Sequence, residues 1–333
     1  MRIVENCSLL KHNTFGIDVQ ADYMVEYSDV SELKKALQLS VRPILHIGAG
    51  SNLLFLDNFH GTIIRSTIDS VDVETETEDS ISVRVGSGVL WENFVKMCAE
   101  KGWWGVENLS AIPGYMGAAA VQNIGAYGVE LKDVVESVSA VCIEDGSERV
   151  FGRSECMYGY RNSVFKSELK GQYIITHVTL RLSKHPTPNL GYGELKRVVK
   201  GLGVVSLNNI GNAVRGIRAQ KLPDPALLGN AGSFFMNPVV SVEHYKKLLK
   251  DYADMPAYAL SNNRMKLSAG WMIESCGWKG RGLGKAAVHD MQALVLVNKG
   301  GATGLEIKEL ADRIIDDVHL KFNVTLSAEV NYI

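Results

Sequence analysis

The stretch GVENLSAIPGYMGAAAVQNIGAYG, residues 105–128, decides how the rest of the chain is interpreted. Glycines recur at 114, 117, 125 and 128, and Ala118–Ala120 add no bulk, so the segment predicts something other than an ordinary helix. Glycine allows positive φ and lets backbone come close to another molecule. A buried turn between packed elements is the alternative. The polar residues Gln122 and Asn123 favour a ligand site.

The composition and charge of the chain argue against several classes of function. The chain has 333 residues, enough for two or three domains, with 46% hydrophobic and 22% charged residues and a formal net charge of -2. This charge gives no electrostatic case for nucleic acid or an anionic membrane surface. The five cysteines are scattered without metal-ligand or redox spacing, and HExxH is absent, so we expect reduced thiols, no metal and a cytoplasmic location.

A second glycine-rich turn lies upstream. Residues 43–47 predict a short buried strand that runs into GAGSNLL at 48–54, and successive backbone N–H groups in such a turn can bind a phosphate. The turn is not a Rossmann fingerprint, because Leu53 replaces the third glycine and the residues after it predict strand, not helix. A dinucleotide-binding βαβ unit is therefore excluded.

The remaining pattern predicts an α+β protein with a largely antiparallel sheet between 66 and 182. Helices are predicted at 30–38, 91–101, 206–220, 266–276 and 303–318, and strands at 71–85 (a hairpin with its turn near 78–80), 134–143, 148–151, 173–182, 293–297 and around 327–330. The segment 186–193, with two prolines and two glycines, predicts a loop that exposes Tyr192.

Three side chains are candidates for chemistry. Arg161 has aromatic neighbours and no adjacent acid, which suits a carboxylate or phosphate, although a structural salt bridge is the alternative. Ser233 lies in a glycine-rich turn without a GxSxG motif, so it is a candidate proton donor and not a hydrolase nucleophile. Glu329 is an acid on an apolar terminal strand, where loss of water favours the neutral, hydrogen-donating form.

Taken together, these segments resemble the UDP-N-acetylenolpyruvoylglucosamine reductase family, in its subgroup with a mobile tyrosine loop. The matching motifs occur in the family's order: GAGSNLLF at 48–55, ENLSAIPGYMGAAAVQNIGAYG at 107–128, YGYRNSVF at 158–165, KLPDP at 221–225, GNAGSFFMNP at 229–238 and AEV at 328–330. Two departures are Ala49 in place of a usual glycine and Met236 where many members carry lysine. The second puts a charge contact from that position in doubt.

The resemblance implies an α+β fold with a two-part FAD-binding region of the vanillyl-alcohol-oxidase/PCMH type and a C-terminal α+β substrate domain. The expected boundaries are 1–65 and 66–214 for the FAD-binding subdomains, 215–325 for the substrate domain and 326–333 for a terminal strand carrying Glu329. The FAD-binding residues it implies are Gly48, Ala49, Gly50, Ser51, Asn52, Leu53, Pro113, Gly114, Gly117, Ala118, Gln122, Asn123, Gly125, Ala126 and Tyr127.

By the same resemblance, NADPH reduces FAD, and the reduced flavin passes hydride to UDP-GlcNAc-enolpyruvate to give UDP-N-acetylmuramate for peptidoglycan synthesis. Arg161 and Glu329 would stabilise charge on the substrate carboxylate, and Ser233 would protonate the α-carbon. The implied substrate-binding residues are Tyr160, Tyr192, Lys221, Asn237 and Gln292. A monomer that acts on small molecules is expected.

Two rival functions remain at this stage. The first is an oxidase on the same flavin fold, and the absence of His and Cys from both glycine-rich turns counts against its usual covalent flavin. The second is a non-catalytic nucleotide-sugar binder, for which the joint presence of Tyr160, Arg161, Ser233 and Glu329 would have no purpose.

Overall fold

The computed structural model describes residues 1–260 and 263–333. In chain order the elements are β1 (Arg2–Ser8), β2 (Gln20–Tyr27), α1 (Val30–Leu39), β3 (Ile44–Ile47), β4 (Leu53–Leu54), β5 (Phe59–Ser66), β6 (Val71–Glu76), β7 (Ser80–Gly86), α2 (Trp91–Lys101), α3 (Met116–Gln122), β8 (Gly125–Ala126), β9 (Val129–Glu130), β10 (Val135–Cys142), β11 (Glu148–Gly152), β12 (Tyr173–Ser183), α4 (Leu195–Gly201), α5 (Leu207–Lys221), β13 (Gly229–Ser233), β14 (Val239–Ser241), α6 (Val242–Asp251), β15 (Ala257–Leu260), β16 (Arg264–Leu267), α7 (Ala269–Ser275), β17 (Gly282–Leu283), β18 (Ala286–Val288), β19 (Val295–Asn298), α8 (Gly304–Phe322) and β20 (Asn331–Tyr332). Short 3₁₀ turns occupy Glu107–Leu109 and Leu131–Asp133.

The chain forms two compact units. The first comprises 1–7, 21–49 and 60–218, and the second comprises 8–20, 50–59 and 219–333. The glycine-rich turn at 48–54 is therefore divided between them, after Ala49.

The first unit contains a sheet in the order β1-β2-β5-β3 and a five-stranded sheet in the order β11-β10-β12-β7-β6. Every pair in the second sheet is antiparallel, as predicted, and the expected hairpin is formed by β6 and β7. Helix α1 begins where the Asp29 side chain accepts from the amide of Glu32, and it buries Leu33 and Ala36 in a core shared with strands of both sheets. Helices α2 and α3 pack into the core of the five-stranded sheet.

Helix α3 corrects the prediction made for the glycine- and alanine-rich segment. Residues 116–122 are α-helical, because alanine is the strongest helix former and outweighs the single glycine. Gly117 has a packing role instead, since a Cβ there would lie 2.8 Å from the Cβ of Ser87. The helix ends at Asn123, which adopts the left-handed conformation with φ 46°.

The second unit contains an antiparallel sheet in the order β13-β19-β18-β17, a three-stranded sheet β14-β16-β15, and a parallel pair of β20 with β4. Helix α8 starts with a capping box between Thr303 and Glu306 and contacts β17, β18 and β19. The helix predicted at 266–276 begins later than expected: 264–267 are β16, and Ser268 caps α7 by accepting from the amide of Trp271.

Most of the other predicted elements are confirmed within a few residues, including α1, α2, α5, α8, β10, β11, β12 and β19. Tyr192 is exposed in a loop, as predicted. Helix α4, directly after that loop, was not predicted. In the described part of the chain, no helix combines the length and the hydropathy that crossing a bilayer requires.

Candidate active site

In the first unit, the two glycine-rich segments found in the sequence contact each other. Gly48, at the start of the upstream turn, lies against residues of the segment 105–128. A Cβ built on Gly48 would lie 3.3 Å from the Cβ of Ala118 and 3.5 Å from Cδ2 of Tyr115. Two segments that are separate in sequence and were both predicted to bind FAD therefore meet here. Ala118 is exposed, and Gly48 is partly exposed, so main chain with little side-chain cover faces outward at this contact.

The second half of the turn belongs to the other unit and requires glycine at residue 50. Gly50 has φ +65°, and a Cβ would lie 2.1 Å from the carbonyl oxygen of His12. Farther along, the Asn52 side chain donates to the carbonyl of Glu329 at 3.1 Å, and the carbonyl of Asn52 accepts from the amide of Asn331 at 3.0 Å. The turn and the terminal segment carrying Glu329 are therefore one hydrogen-bonded structure.

These segments fit FAD. A bare main-chain turn next to a helix of small residues offers N–H donors without obstructing side chains, as a pyrophosphate requires. Arg65 pairs in register with Ile47, the residue before the turn. The Arg65 Nε is buried and has no acceptor among the described residues. The positive charge of this arginine therefore favours an anionic group at the turn.

Arg161 is oriented in part by main chain. It adopts φ 53°, its Nη2 donates to the carbonyl of Gly125 at 2.6 Å, and its guanidinium lies 5.3 Å from the centre of the Tyr160 ring. Nearby, Lys166 Nζ donates to Oε1 of Gln122 at 3.0 Å and to the carbonyl of Arg161 at 3.2 Å. Positive φ in a residue with a side chain is strained, which indicates a position determined by its surroundings.

Asn123 holds the loop that carries Tyr160 and Arg161 in place. Its side chain is fully buried, donates to the carbonyl of Gly159 at 2.8 Å and accepts from the amide of Lys132 at 3.0 Å. Of the two polar residues singled out in the sequence, Asn123 thus links the end of α3 to the loop that carries Tyr160 and Arg161. Its amide group is engaged within the protein.

A second arginine, Arg218, lies close enough to Arg161 to interact with it electrostatically. Burial lowers the pKa of Arg218, the nearby Tyr127 phenol raises it, and the Arg161 charge lowers it further. Its Nε donates to the carbonyl of Ala111 at 3.2 Å. Two guanidinium groups in one region of the first unit create a positive site for an anion.

Two of the three tyrosines predicted to bind ligands in this unit, Tyr127 and Tyr192, contact each other. The rings of Tyr127 and Tyr192 are 6.1 Å apart in an edge-to-face arrangement. Asn108, which is buried, donates to the carbonyls of Tyr127 and Asn189 at 2.9 and 2.8 Å and so ties the tyrosine loop to the central segment. Burial raises the pKa of the Tyr127 phenol, and the Arg218 charge opposes that shift.

In the second unit, Ser233 is presented by a β-bulge. Asn230 pairs with Val297 and Ser233 with Val295, so two residues of β13 lie opposite one of β19. Gly232, inside the bulge, has φ +67°. The Asn230 side chain accepts from the amide of Gly232 at 2.9 Å and donates to the carbonyls of Leu228 and Pro223 at 2.8 and 3.2 Å. Bulges of this kind re-aim side chains next to active sites.

Glu329 lies beside this bulge. Its amide donates to the carbonyl of Phe234 at 2.8 Å, and Ala328 forms a bridge with Phe235. Gln292 is also near, because the amide of Phe234 donates to the carbonyl of Leu294, and the amide of Leu294 donates to Oε1 of Gln292 at 3.3 Å. Ser233, Glu329 and Gln292, which lie far apart in sequence, are therefore neighbours.

The other predicted substrate residues of this unit have different surroundings. Asn237 accepts from the amide of Ala269 at 3.0 Å, at the first residue of α7. Lys221 ends α5 and is exposed. Sequence reasoning missed Asn230, Arg218, Asn108, Tyr115 and Arg65. Asn230 was inside the quoted GNAGSFF motif, but its role depends on a bulge that no local pattern reveals.

Comparison with known proteins agrees with this architecture. The family model for the UDP-N-acetylenolpyruvoylglucosamine reductase C-terminal domain matches residues 224–333, and an FAD binding domain model matches 21–152. UDP-N-acetylenolpyruvoylglucosamine reductases from Bacteroides fragilis and Porphyromonas gingivalis are 50% identical over 328 residues and 44% identical over 337 residues. These alignments cover 98% of each chain in the first case and 100% of each in the second.

Among solved structures, UDP-N-acetylenolpyruvylglucosamine reductase from Thermus caldophilus superposes with a TM-score of 0.69 at 23% identity, covering 99% of this chain and 98% of that one. This match confirms the predicted α+β fold, and the FAD binding domain model confirms the FAD-binding region. The sequence identities over the full chain show that this chain belongs to the UDP-N-acetylenolpyruvoylglucosamine reductase family.

Proposed function

We propose that Arg161, Ser233 and Glu329 perform the reaction of this family, in which the enolpyruvyl group of UDP-GlcNAc-enolpyruvate is reduced to the lactyl ether of UDP-N-acetylmuramate. The reductase activity and the FAD cofactor predicted from the sequence are confirmed by family membership and by the FAD binding domain model. The roles of individual residues are our proposal.

When bound, FAD would supply the hydride for the terminal carbon of the double bond, with NADPH as the source of the electrons. An enol ether is not electrophilic, so the negative charge that develops toward the substrate carboxylate needs stabilisation in the transition state. Arg161 is suited to hold that carboxylate, because its guanidinium is oriented by the carbonyl of Gly125 and can donate two parallel hydrogen bonds to a carboxylate.

By the family resemblance, Glu329 is proposed as the hydrogen-bond donor to the same carboxylate. Ser233 then delivers a proton to the α-carbon, which balances the hydride added to its neighbour. A serine hydroxyl is a weak acid, but the enolate-like carbon is a strong base, so the transfer is feasible. The single observation that supports these roles best is the 2.8 Å hydrogen bond from the amide of Glu329 to the carbonyl of Phe234, next to Ser233.

The remaining predicted contacts are proposed by the same resemblance. Tyr160, Tyr192, Lys221, Asn237 and Gln292 would bind the substrate, with Tyr192 closing over the nucleotide-sugar. The glycine-rich residues 48–53 and 113–127 would hold FAD. A cytoplasmic location fits the cellular pools of NADPH and UDP-sugars, and a monomer is proposed, to be checked by light scattering.

Anaerobic stopped-flow mixing tests the function and the proton donor together. The protein is mixed with NADPH and then with UDP-GlcNAc-enolpyruvate while flavin absorbance is followed. Ser233→Ala should keep flavin reduction by NADPH and slow flavin reoxidation by about 100- to 10,000-fold. Ser327→Ala, an exposed serine on the neighbouring segment, serves as the control. Reoxidation of Ser233→Ala at the normal rate would exclude Ser233 as the proton donor.

A further inference from the structure

Tyr115 lies where the two FAD-binding segments of the first unit meet. Its ring faces Gly48, the first residue of the turn after β3. Its main chain is fixed on both sides: it forms a bridge with Leu90, and the amide of Met116 donates to the carbonyl of Val89 at 2.9 Å. The position of the ring at the start of the turn is therefore built into the backbone.

Arg65 orients the phenol. Its Nη2 donates to the Tyr115 hydroxyl at 2.6 Å, its guanidinium lies 5.4 Å from the centre of the ring, and its Nη1 pairs with Glu26 at 3.1 Å. A guanidinium has donors only, so the phenol oxygen must act as the acceptor in this bond. The hydrogen of the Tyr115 hydroxyl is therefore available to a second acceptor.

We propose that Tyr115 is an FAD-binding residue, whose hydroxyl donates to a phosphate oxygen of the cofactor, and that Arg65 is the residue that positions it. The proposal rests on FAD binding by this chain. A phosphate suits the place because the turn offers bare backbone N–H groups, and because Arg65 and Arg2 share the single carboxylate of Glu26. A phenol that accepts from a cation is also a stronger donor in the resulting hydrogen-bond chain.

The first test is FAD affinity, measured by flavin fluorescence during reconstitution of the apoprotein. Tyr115→Phe should raise the Kd for FAD by about 10- to 100-fold, the typical effect of losing a hydrogen bond to a charged group. Arg65→Met should raise it as well, and Arg65→Lys should raise it less. The effects of Arg65→Met and Tyr115→Phe should be less than additive in the double variant, because part of the Arg65 effect acts through the Tyr115 hydroxyl.

The second test detects the proposed hydrogen bond between the Tyr115 hydroxyl and an FAD phosphate. In ³¹P NMR spectra of the reconstituted protein, Tyr115→Phe should shift one of the two FAD phosphate resonances. A matched control is available in the same unit, where Arg149 lies over the ring of Phe151 and interacts with Glu155 and Tyr173. Arg149→Met and Tyr173→Phe should leave the FAD Kd within about twofold of the wild-type value and leave both resonances unshifted.

An FAD Kd within about twofold of wild type, with unshifted phosphate resonances, would overturn the role of Tyr115. If Tyr115→Phe apoprotein does not fold, as judged by its thermal transition, Arg65→Lys and Arg65→Met decide, and wild-type Kd values in both would overturn the proposal. Failure of the wild-type chain to bind FAD would instead refute the function on which the proposal rests.

Discussion

Two main-chain hydrogen bonds connect Glu329 to the residue after Ser233 and to the turn that carries Asn52. Its amide donates to the carbonyl of Phe234 at 2.8 Å, and its carbonyl accepts from the Asn52 side chain at 3.1 Å. Because both hydrogen bonds involve main-chain atoms of residue 329, they remain available when its side chain is substituted.

Glu329 substitutions should separate hydrogen-bond donation from charge. Glu329→Gln retains a donor without charge, whereas Glu329→Ala retains neither, so we expect Glu329→Gln to keep at least about 10-fold more activity than Glu329→Ala. Flavin reoxidation by the enolpyruvyl substrate under anaerobic conditions is the measurement. Equal losses in both variants would argue that Glu329 acts as something other than a neutral donor.

Arg161 should be essential for rate and unfavourable for stability. Because its φ is 53°, Arg161→Gly relieves backbone strain that Arg161→Ala keeps, so the glycine variant should be more stable than the alanine variant by about 1 kcal/mol. Both variants should lose about 100- to 1,000-fold in kcat/KM for the enolpyruvyl substrate. Urea unfolding and steady-state kinetics provide the two readouts, with the exposed Arg153→Ala as the control. A fully active Arg161→Gly would contradict the role proposed for the guanidinium.

Gly50 should tolerate no side chain. Gly50→Ala introduces a Cβ 2.1 Å from the carbonyl oxygen of His12 at φ +65°, so strain and overpacking together should cost about 2–5 kcal/mol of unfolding free energy and weaken FAD binding. Gly171 has a similar φ of +74° with nothing within 4 Å of a Cβ, so Gly171→Ala should cost only about 1–2 kcal/mol. Equal losses in the two variants would show that the contact with His12 is relaxed easily.

His177 should make the stability of the first unit sensitive to acid. Burial, aided by the Arg84 charge, lowers the pKa of this histidine to about 4, and Arg84 donates to its Nδ1 at 2.9 Å. The unfolded chain titrates near pH 6.5, so it binds the proton first as pH falls. The contribution of His177 is therefore complete above pH 6.5 and declines between pH 6.5 and about 4.

The expected loss from this one group is about 2 kcal/mol by pH 5. His177→Asn cannot titrate, yet its amide oxygen can accept from Arg84, so its unfolding free energy should fall less steeply with pH. Urea unfolding at a series of pH values, with an NMR titration of the imidazole, measures the difference. Identical slopes for the two proteins would refute the assignment.

Local sequence patterns were sufficient to predict many of the helices and strands of this fold. Alternating polarity predicted the β6–β7 hairpin, and apolar residues at helical spacing predicted α1 and α8, because these patterns report directly which face of an element is buried. They failed for α3, where helix propensity was underrated beside glycine content, and for β16, where a strand and a capped helix were merged into one helix.

The order of motifs along the chain already indicated the family, the cofactor and the candidate side chains, because these depend on residue identity and spacing. The neighbours of each side chain come from long-range pairing instead. Ser233 is presented by a bulge against β19 that Asn230 holds. The hydrogen bond from Glu329 to Phe234 and the bond from Arg65 to Tyr115 each join residues that are far apart in sequence. Such contacts depend on the packing of distant segments, which no window of sequence contains.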